Sequence, residues 1–346
     1  MVDRKGHQAA SPAEMPPPAW KDILSRTYKR TWDDNVALVS AGVAFYGFFA
    51  LLSLLGLIVL AYGFVADPRT VITNMNALTA VLPTDVALLI GQQLMTAVQS
   101  SQSTKGFGIL LAFLVATYGG TNGAAAVITA LNIAYEEKEK RSLLHFYALA
   151  VAMTLGALLV ALAALAATAA VAYLQHLLPQ APPAAVVVGK FVGYALLALL
   201  ALLAALVASV LYRVGPSRED AQWKWITPGS IFAALAWLLL TVAFGFYVSH
   251  FTNYHASYGS LGAVVALQTW MYLSAYAFVF GAELNSEIEH QTAKDSTTGH
   301  PRPMGDRGAW AADNVATDDE VQDRPEEQRE GEKFTQAAPK VAKEKG

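Results

Sequence analysis

The 346-residue chain carries 24 Lys and Arg against 27 Asp and Glu, a formal net charge of −3, with 54% hydrophobic residues, 15% charged residues and no cysteine. A soluble domain averages roughly 25% charged residues, so the deficit points to a chain built for lipid. Disulfides, thiolate metal sites and cysteine nucleophiles are excluded, and the dispersed basic residues argue against a nucleic-acid partner.

Residues 1–19 are polar and Pro-rich, with no apolar run behind their charges, and read as a disordered tail rather than a cleavable signal. Trp20, Ile23, Leu24, Tyr28 and Trp32 then fall on one helical face, and Lys21, Arg26, Lys29 and Arg30 on the other. That pattern predicts an amphipathic helix in the headgroup region, basic side to water and aromatic side to lipid. An amphipathic helix packed on a soluble domain would have the same periodicity.

A bilayer hydrocarbon core takes about 20 residues of helix to cross. Six apolar stretches meet that length: Val36–Val65, Phe107–Tyr135, Leu144–Leu174, Ala184–Tyr212, Gly229–His250 and Tyr258–Glu283. The fold class expected is therefore an all-α integral membrane protein, with six transmembrane helices inside a membrane domain spanning 20–290. The loop at 66–106 is too long for a turn. Asp67-Pro68 and Pro83-Thr84-Asp85 each look like a helix start, and apolar stripes follow both. These external helices, within 68–100, suit a lid, a contact in a homo-oligomer, or a pair resting on the ends of the bundle. Residues 291–346 are rich in charge, poor in large apolar side chains, and read as a disordered tail.

Orientation follows from the Lys and Arg of the short loops. Arg4, Lys5, Lys21, Arg26, Lys29, Arg30, Lys138, Lys140, Arg141, Arg213, Arg218 and Lys224 lie on one side, against Arg69, Lys105 and Lys190 on the other. Both termini are expected in the cytoplasm.

Polar side chains gather at span ends on that cytoplasmic side: Asp33, Asp34 and Asn35; Asn132 with Glu136 and Glu137; Glu283 and Asn285. An ionisable group held at membrane depth is costly and so a functional candidate. Glu283 either gates a solute or couples an ion, or it marks the exit of its helix from the membrane. In the second span, Tyr118-Gly-Gly-Thr-Asn-Gly123 places Gly119 and Gly123 at GxxxG spacing. This suits close helix packing, or a locally irregular helix in which Thr121 and Asn122 line a polar cavity. His250, Asn253, Tyr254, His255 and Tyr258 read as an aromatic interface belt rather than a metal site. No phosphate loop, dinucleotide fingerprint, HExxH or GxSxG is present, and no metal or cofactor is implied.

Three stretches, DDNVALVSAGVAFYGFFALLSLLGLIVLAYGFVADP, ALNIAYEEKEKRS and YGSLGAVVALQTWMYLSAYAFVFGAELNSEIE, resemble the YihY/BrkB family of bacterial inner-membrane proteins. Some members of that family have carried a ribonuclease BN label. The resemblance implies a six-span domain with both ends inside the cell. On matching positions it singles out Asn35, Tyr46, Asn132, Tyr135, Tyr258, Gly259, Gly262, Glu283 and Asn285. Ser53 stands where many members have proline, so a kink there does not carry over.

The function expected is movement of a small-molecule solute by a permease or exporter, not enzymatic catalysis. Asn35, Tyr46, Thr121, Asn122, Asn132, Glu283 and Asn285 are the cavity candidates, and Gly119, Gly123, Gly259 and Gly262 the helix-packing positions. The partners expected are the lipid bilayer, the solute and a second copy of the chain. The alternative is a non-transporting envelope scaffold. A ribonuclease is disfavoured, because scattered acids with no basic groove suit neither metal nor phosphate backbone.

Overall fold

The computed structural model describes residues 5–65, 102–177, 183–250 and 260–316. Within them the chain is helical, with one isolated antiparallel bridge, Ala221 to Thr297, and no strand. After a 3-10 turn at Pro12–Glu14 come α1 (Pro17–Asp33), α2 (Val36–Val65), α3 (Gln102–Ala134), α4 (Leu143–Leu177), α5 (Pro183–Val214), α6 (Trp223–His250), α7 (Ser260–His290) and a single turn, α8 (Trp310–Asp313). By length and composition, three windows suit a membrane crossing among the described residues: Leu143–Val160, Trp223–Tyr247 and Val264–His290. A fourth is added if α1 and the first part of α2 count as one bent span. The external helices predicted within 68–100, the belt from Asn253 to Tyr258, and Gly259 lie outside the described residues.

The bend between α1 and α2 is 64°. It is made at Asn35, whose φ of 51° is left-handed, a conformation that asparagine tolerates better than most residues. The end of α3 uses a similar device. Glu136 has φ 55°, and the amides of Glu136 and Glu137 donate back to Ile133 O at 2.9 Å and Asn132 O at 2.8 Å.

The helix around which the others pack is α7, which touches α1, α2, α3, α6 and α8. At 1.5 Å per residue its 31 residues are about 46 Å long against a hydrocarbon core of about 30 Å. Roughly three turns therefore project beyond the core. At the C-terminal end of α7, residues 281–290 are every one of them buried. What encloses them is protein: α1, the N-terminal segment, the start of α6 and the chain after His290.

That enclosure corrects the two expected tails over the part described. Residues 5–15 are packed, not disordered: Ala9 and Met15 are buried with Ala19, Ile23, Trp225, Leu284 and Ile288. Residues 291–316 fold back under the bundle. Thr292 Oγ1 donates to Ala9 O at 2.7 Å, Gln291 Nε2 to Lys5 O at 2.7 Å, and Ala293 N to His7 O at 2.8 Å. Composition missed this because the order comes from hydrogen bonds, not from large apolar side chains. Arg307, buried, donates to the carbonyls of Ala312 (2.6 Å), Ala293 (2.9 Å) and Arg302 (3.2 Å). Asp313 accepts from the amides of Gly305, Arg307 and Gly308. Arg307→Ala is expected to cost about 2 kcal/mol, since it strips donors from buried carbonyls. Hydrogen exchange should then quicken across residues 293–313 and stay unchanged in α3 and α4.

Candidate functional site

Two residues apart on a helix is about 200° of rotation, so Glu283 and Asn285 look in different directions. The end of α7 accordingly has two working faces. Glu283, Glu287 and His290 share one, and Asn285 and Glu289 share the other.

The first face meets α1. Arg26 Nε lies 2.5 Å from Glu287 Oε2, and Arg26 Nη2 donates to Gln291 Oε1 at 2.6 Å. Arg30 Nε is 3.4 Å from Glu287 Oε1, and Arg30 also pairs with Glu136 at the end of α3. Trp310 stacks on His290 with ring centroids 4.8 Å apart, and the Arg30 guanidinium sits 5.3 Å from the Trp310 centroid. The Trp310 amide donates to Glu137 Oε1 at 2.6 Å. Glu283 sits one turn before Glu287 and is 1% exposed, with Oε1 buried and without a hydrogen-bond partner among the described residues. Asp34, at the α1–α2 corner, has Oδ2 in the same condition. Its carboxyl is pushed up to about 7, by burial first and then by Glu136, against the opposing pull of Arg30.

The second face meets α6 and the α5–α6 loop. Pro228 sits inside α6 and has no amide hydrogen to give its own helix. Asn285 braces the backbone on either side of this proline. Its Oδ1 accepts from Gly229 N at 2.7 Å and its Nδ2 donates to Ile226 O at 2.9 Å. Glu289 takes both Arg218 Nη1 (3.1 Å) and Nη2 (2.8 Å), plus Ser296 Oγ at 2.8 Å.

The remaining predicted residues are dispersed. Asn132 is buried and committed: Nδ2 donates to Glu139 Oε2 at 2.9 Å, and Oδ1 accepts from Ser217 N at 2.7 Å, tying α3 to the α5–α6 loop. Asn35 is exposed and donates to Asp33 O at 3.2 Å, within its own turn. Gly119 and Gly123 press α3 onto the α2 backbone at Ala50 and Tyr46, where a Cβ on Gly119 would lie 3.3 Å from Ala50 Cα. Asn122 donates to Tyr118 O at 2.8 Å in its own helix, and Thr121 is half-buried nearby. Tyr46 is exposed beside Phe45, and Gly262 is half-buried in the first turn of α7. Thus Glu283 and Asp34 each keep a buried oxygen without a partner among the described residues, while Asn132 is taken up by Glu139 and the Ser217 amide and Asn285 by the α6 backbone.

A cavity of about 180 Å³ does lie between α5, α6 and α7, lined by Val207, Leu211, Trp237, Ser274 and Phe278 among others. It is apolar and contains none of the predicted cavity residues.

Arg26 corrects the reading of α1 as basic-side-to-water. It is 6% exposed, whereas Leu24, Tyr28 and Trp32 are 52%, 62% and 68% exposed. The signal was present, because Ile23, Arg26, Thr27, Arg30 and Thr31 recur at helical spacing as one stripe. Nothing in their local sequence announces Arg218, Glu289 or Trp310, whose partners lie far along the chain.

The family description Virulence factor BrkB matches residues 27–305. The Bacillus subtilis ribonuclease-like protein YfkH is 28% identical over 239 residues, covering 66% of this chain and 86% of its own. A UPF0761 membrane protein of Pseudoalteromonas translucida is 33% identical over 87 residues, 25% of this chain and 29% of that one. Another from Tolumonas auensis is 32% identical over 79 residues, 23% and 26% of the respective chains. No solved structure matches. With most of its length covered by the family description, the chain belongs to the Virulence factor BrkB family and is similar to UPF0761 membrane proteins.

Proposed function

We propose that this membrane protein is a permease or exporter of a small solute, with six spans in a bacterial inner membrane and both termini in the cytoplasm. The bias of Lys and Arg to alternate loops supports that topology. On it, α1, the end of α7 and residues 291–316 form a cytoplasmic cap. One observation carries the transport reading: a buried carboxyl group, Glu283, whose Oε1 has no partner among the described residues, at the end of α7 where it packs against α1. A purely structural carboxylate at such a place would be neutralised by its neighbours, as Glu287 is by Arg26. An unneutralised one is a group kept for an ion, a proton or a solute.

The chain is proposed not to be an enzyme. YfkH carries a ribonuclease-like name. Here Glu287 and Glu289 are each closed off by arginine, and among the described residues no three His, Asp or Glu side chains are grouped to hold a metal ion.

The test is solute flux in proteoliposomes across a metabolite library, comparing wild type with Glu283→Gln. Flux that requires the protein and falls about tenfold or more in the variant, a change of about 1.4 kcal/mol in the barrier, supports the reading. Flux at the wild-type rate would remove Glu283 from the path. No flux for any solute would turn the proposal toward an envelope scaffold.

A further inference from the structure

We propose that Glu283 and Asp34 form a proton-binding carboxyl pair, held between the α1–α2 corner and the end of α7. As the site of a coupling ion it rests on the transport reading above; as a protonation site it rests on the packing of α1 against the end of α7.

The geometry is a charge imbalance at the edge of the buried region: Glu283 is closed off from water, and Asp34 is half-buried beside it. Arg30 on α1 lies 3.4 Å from Glu287 on α7 and pairs with Glu136 at the end of α3; one turn on from Arg30 stands Asp34 at the corner, and one turn back from Glu287 stands Glu283. Arg26 and His290 face Glu287, at 2.5 and 3.6 Å, and Asp33 lies next to Asp34. Apart from Asp33, which is exposed, four carboxyls therefore share two guanidiniums, and both guanidiniums are committed. Arg26 serves Glu287 and Gln291, and Arg30 serves Glu136 and Glu287. The two oxygens left without a partner, Glu283 Oε1 and Asp34 Oδ2, belong to the two carboxyls that no arginine engages through a hydrogen bond.

Two carboxylates in one desolvated site cannot both stay ionised cheaply, and one proton relieves the repulsion and the burial cost together. Such a pair takes up its protons as a unit rather than residue by residue. A metal cation would want three or more ligating side chains with matched geometry, which the described residues do not assemble. The rise of the Asp34 carboxyl to about 7 agrees with this in direction, since a proton is retained at pH values where a free carboxyl has lost it. Position gives the pair leverage. Asp34 is next to the left-handed Asn35, so losing the proton leaves like charge between the α1–α2 corner and the end of α7 and pushes the two apart.

Infrared difference spectroscopy of the full-length protein in nanodiscs, titrated through neutral pH, reads this without any transport. A protonated-carboxyl band that titrates near neutrality, disappears in Glu283→Gln and shifts its midpoint in Asp34→Asn is the expected result. A band unchanged in both variants overturns the pair. So does a band removed by sodium at fixed pH, which would mark a metal-cation site instead. Because glutamine mimics the protonated acid, Glu283→Gln should fold and melt no lower than wild type. A variant that fails to fold shows that ionised Glu283 was needed, and also overturns the pair. The band present with no flux for any solute refutes transport and leaves the pair. The band absent with flux dependent on Glu283 refutes the pair and leaves transport.

Discussion

Replacing Gly229 by valine is expected to abolish the folded membrane domain. Here α6 and α7 approach backbone to backbone, so a Cβ on Gly229 would run into the Gly281 carbonyl and lie 2.6 Å from Asn285 Cγ. The opposite wall is equally tight, since a Cβ on Gly281 would stand 2.6 Å from Tyr212 Oη, 2.7 Å from Gly229 O and 2.9 Å from Ala233 Cβ. None of these neighbours can yield. Tyr212 Oη is held by its donation to Phe278 O at 2.6 Å, and Asn285 by its bonds to Gly229 and Ile226. Parting the helices to admit a side chain would break the amide bridge across Pro228 and leave its polar atoms buried and unmet. The combined cost is expected to exceed about 4 kcal/mol, the range reached only by severe core lesions. Size-exclusion chromatography in detergent should show loss of the monodisperse species. Gly156→Ala is the control, because a Cβ there meets nothing within 4 Å, and its profile should match wild type.

Arg218→Ala is expected to destabilise the protein by about 3–5 kcal/mol, as removal of one partner from a buried ion pair does elsewhere. Both side chains of the Arg218–Glu289 pair are 0% exposed, and the guanidinium lies 4.2 Å from the centroid of the Tyr135 ring. Without it Glu289 keeps one hydroxyl donor, Ser296, for a fully buried charge. A thermal-shift assay should show a large fall in Tm. The double variant Arg218→Met with Glu289→Leu should recover much of it, because an apolar pair removes the desolvation cost that the single variant exposes. If the double variant melts no higher than Arg218→Ala, the loss came from packing on Tyr135 and not from the stranded carboxylate.

Much of this arrangement can be read from local pattern. The lengths of the apolar runs anticipate the long helices, because a helix in lipid must satisfy its own backbone and so shows itself as about 20 consecutive apolar residues. The GxxxG spacing at Gly119 and Gly123 anticipates the close approach of α3 to α2, which the glycines allow by lacking a side chain. The acidic end of α7 is visible as a break in apolar composition. Its two faces follow from helical rotation, yet treating Glu283 and Asn285 as one polar site overlooked that rotation.

Partnership is what local pattern could not supply. Arg26 and Glu287 are 261 residues apart, Arg218 and Glu289 are 71 apart, and the Trp310 amide reaches Glu137 across 173. No helical period relates such positions. The sequence by itself determined a helical membrane chain, where its helices run and which ends are polar, because hydrophobicity and helix geometry act over neighbouring residues. Only the tertiary structure decided that residues 5–16 and 291–316 wrap those ends, that two arginines neutralise Glu287 and not Glu283, and that Asn132 and Asn285 hold backbone. Each of these depends on which distant groups compete for the same few hydrogen bonds once water has been excluded.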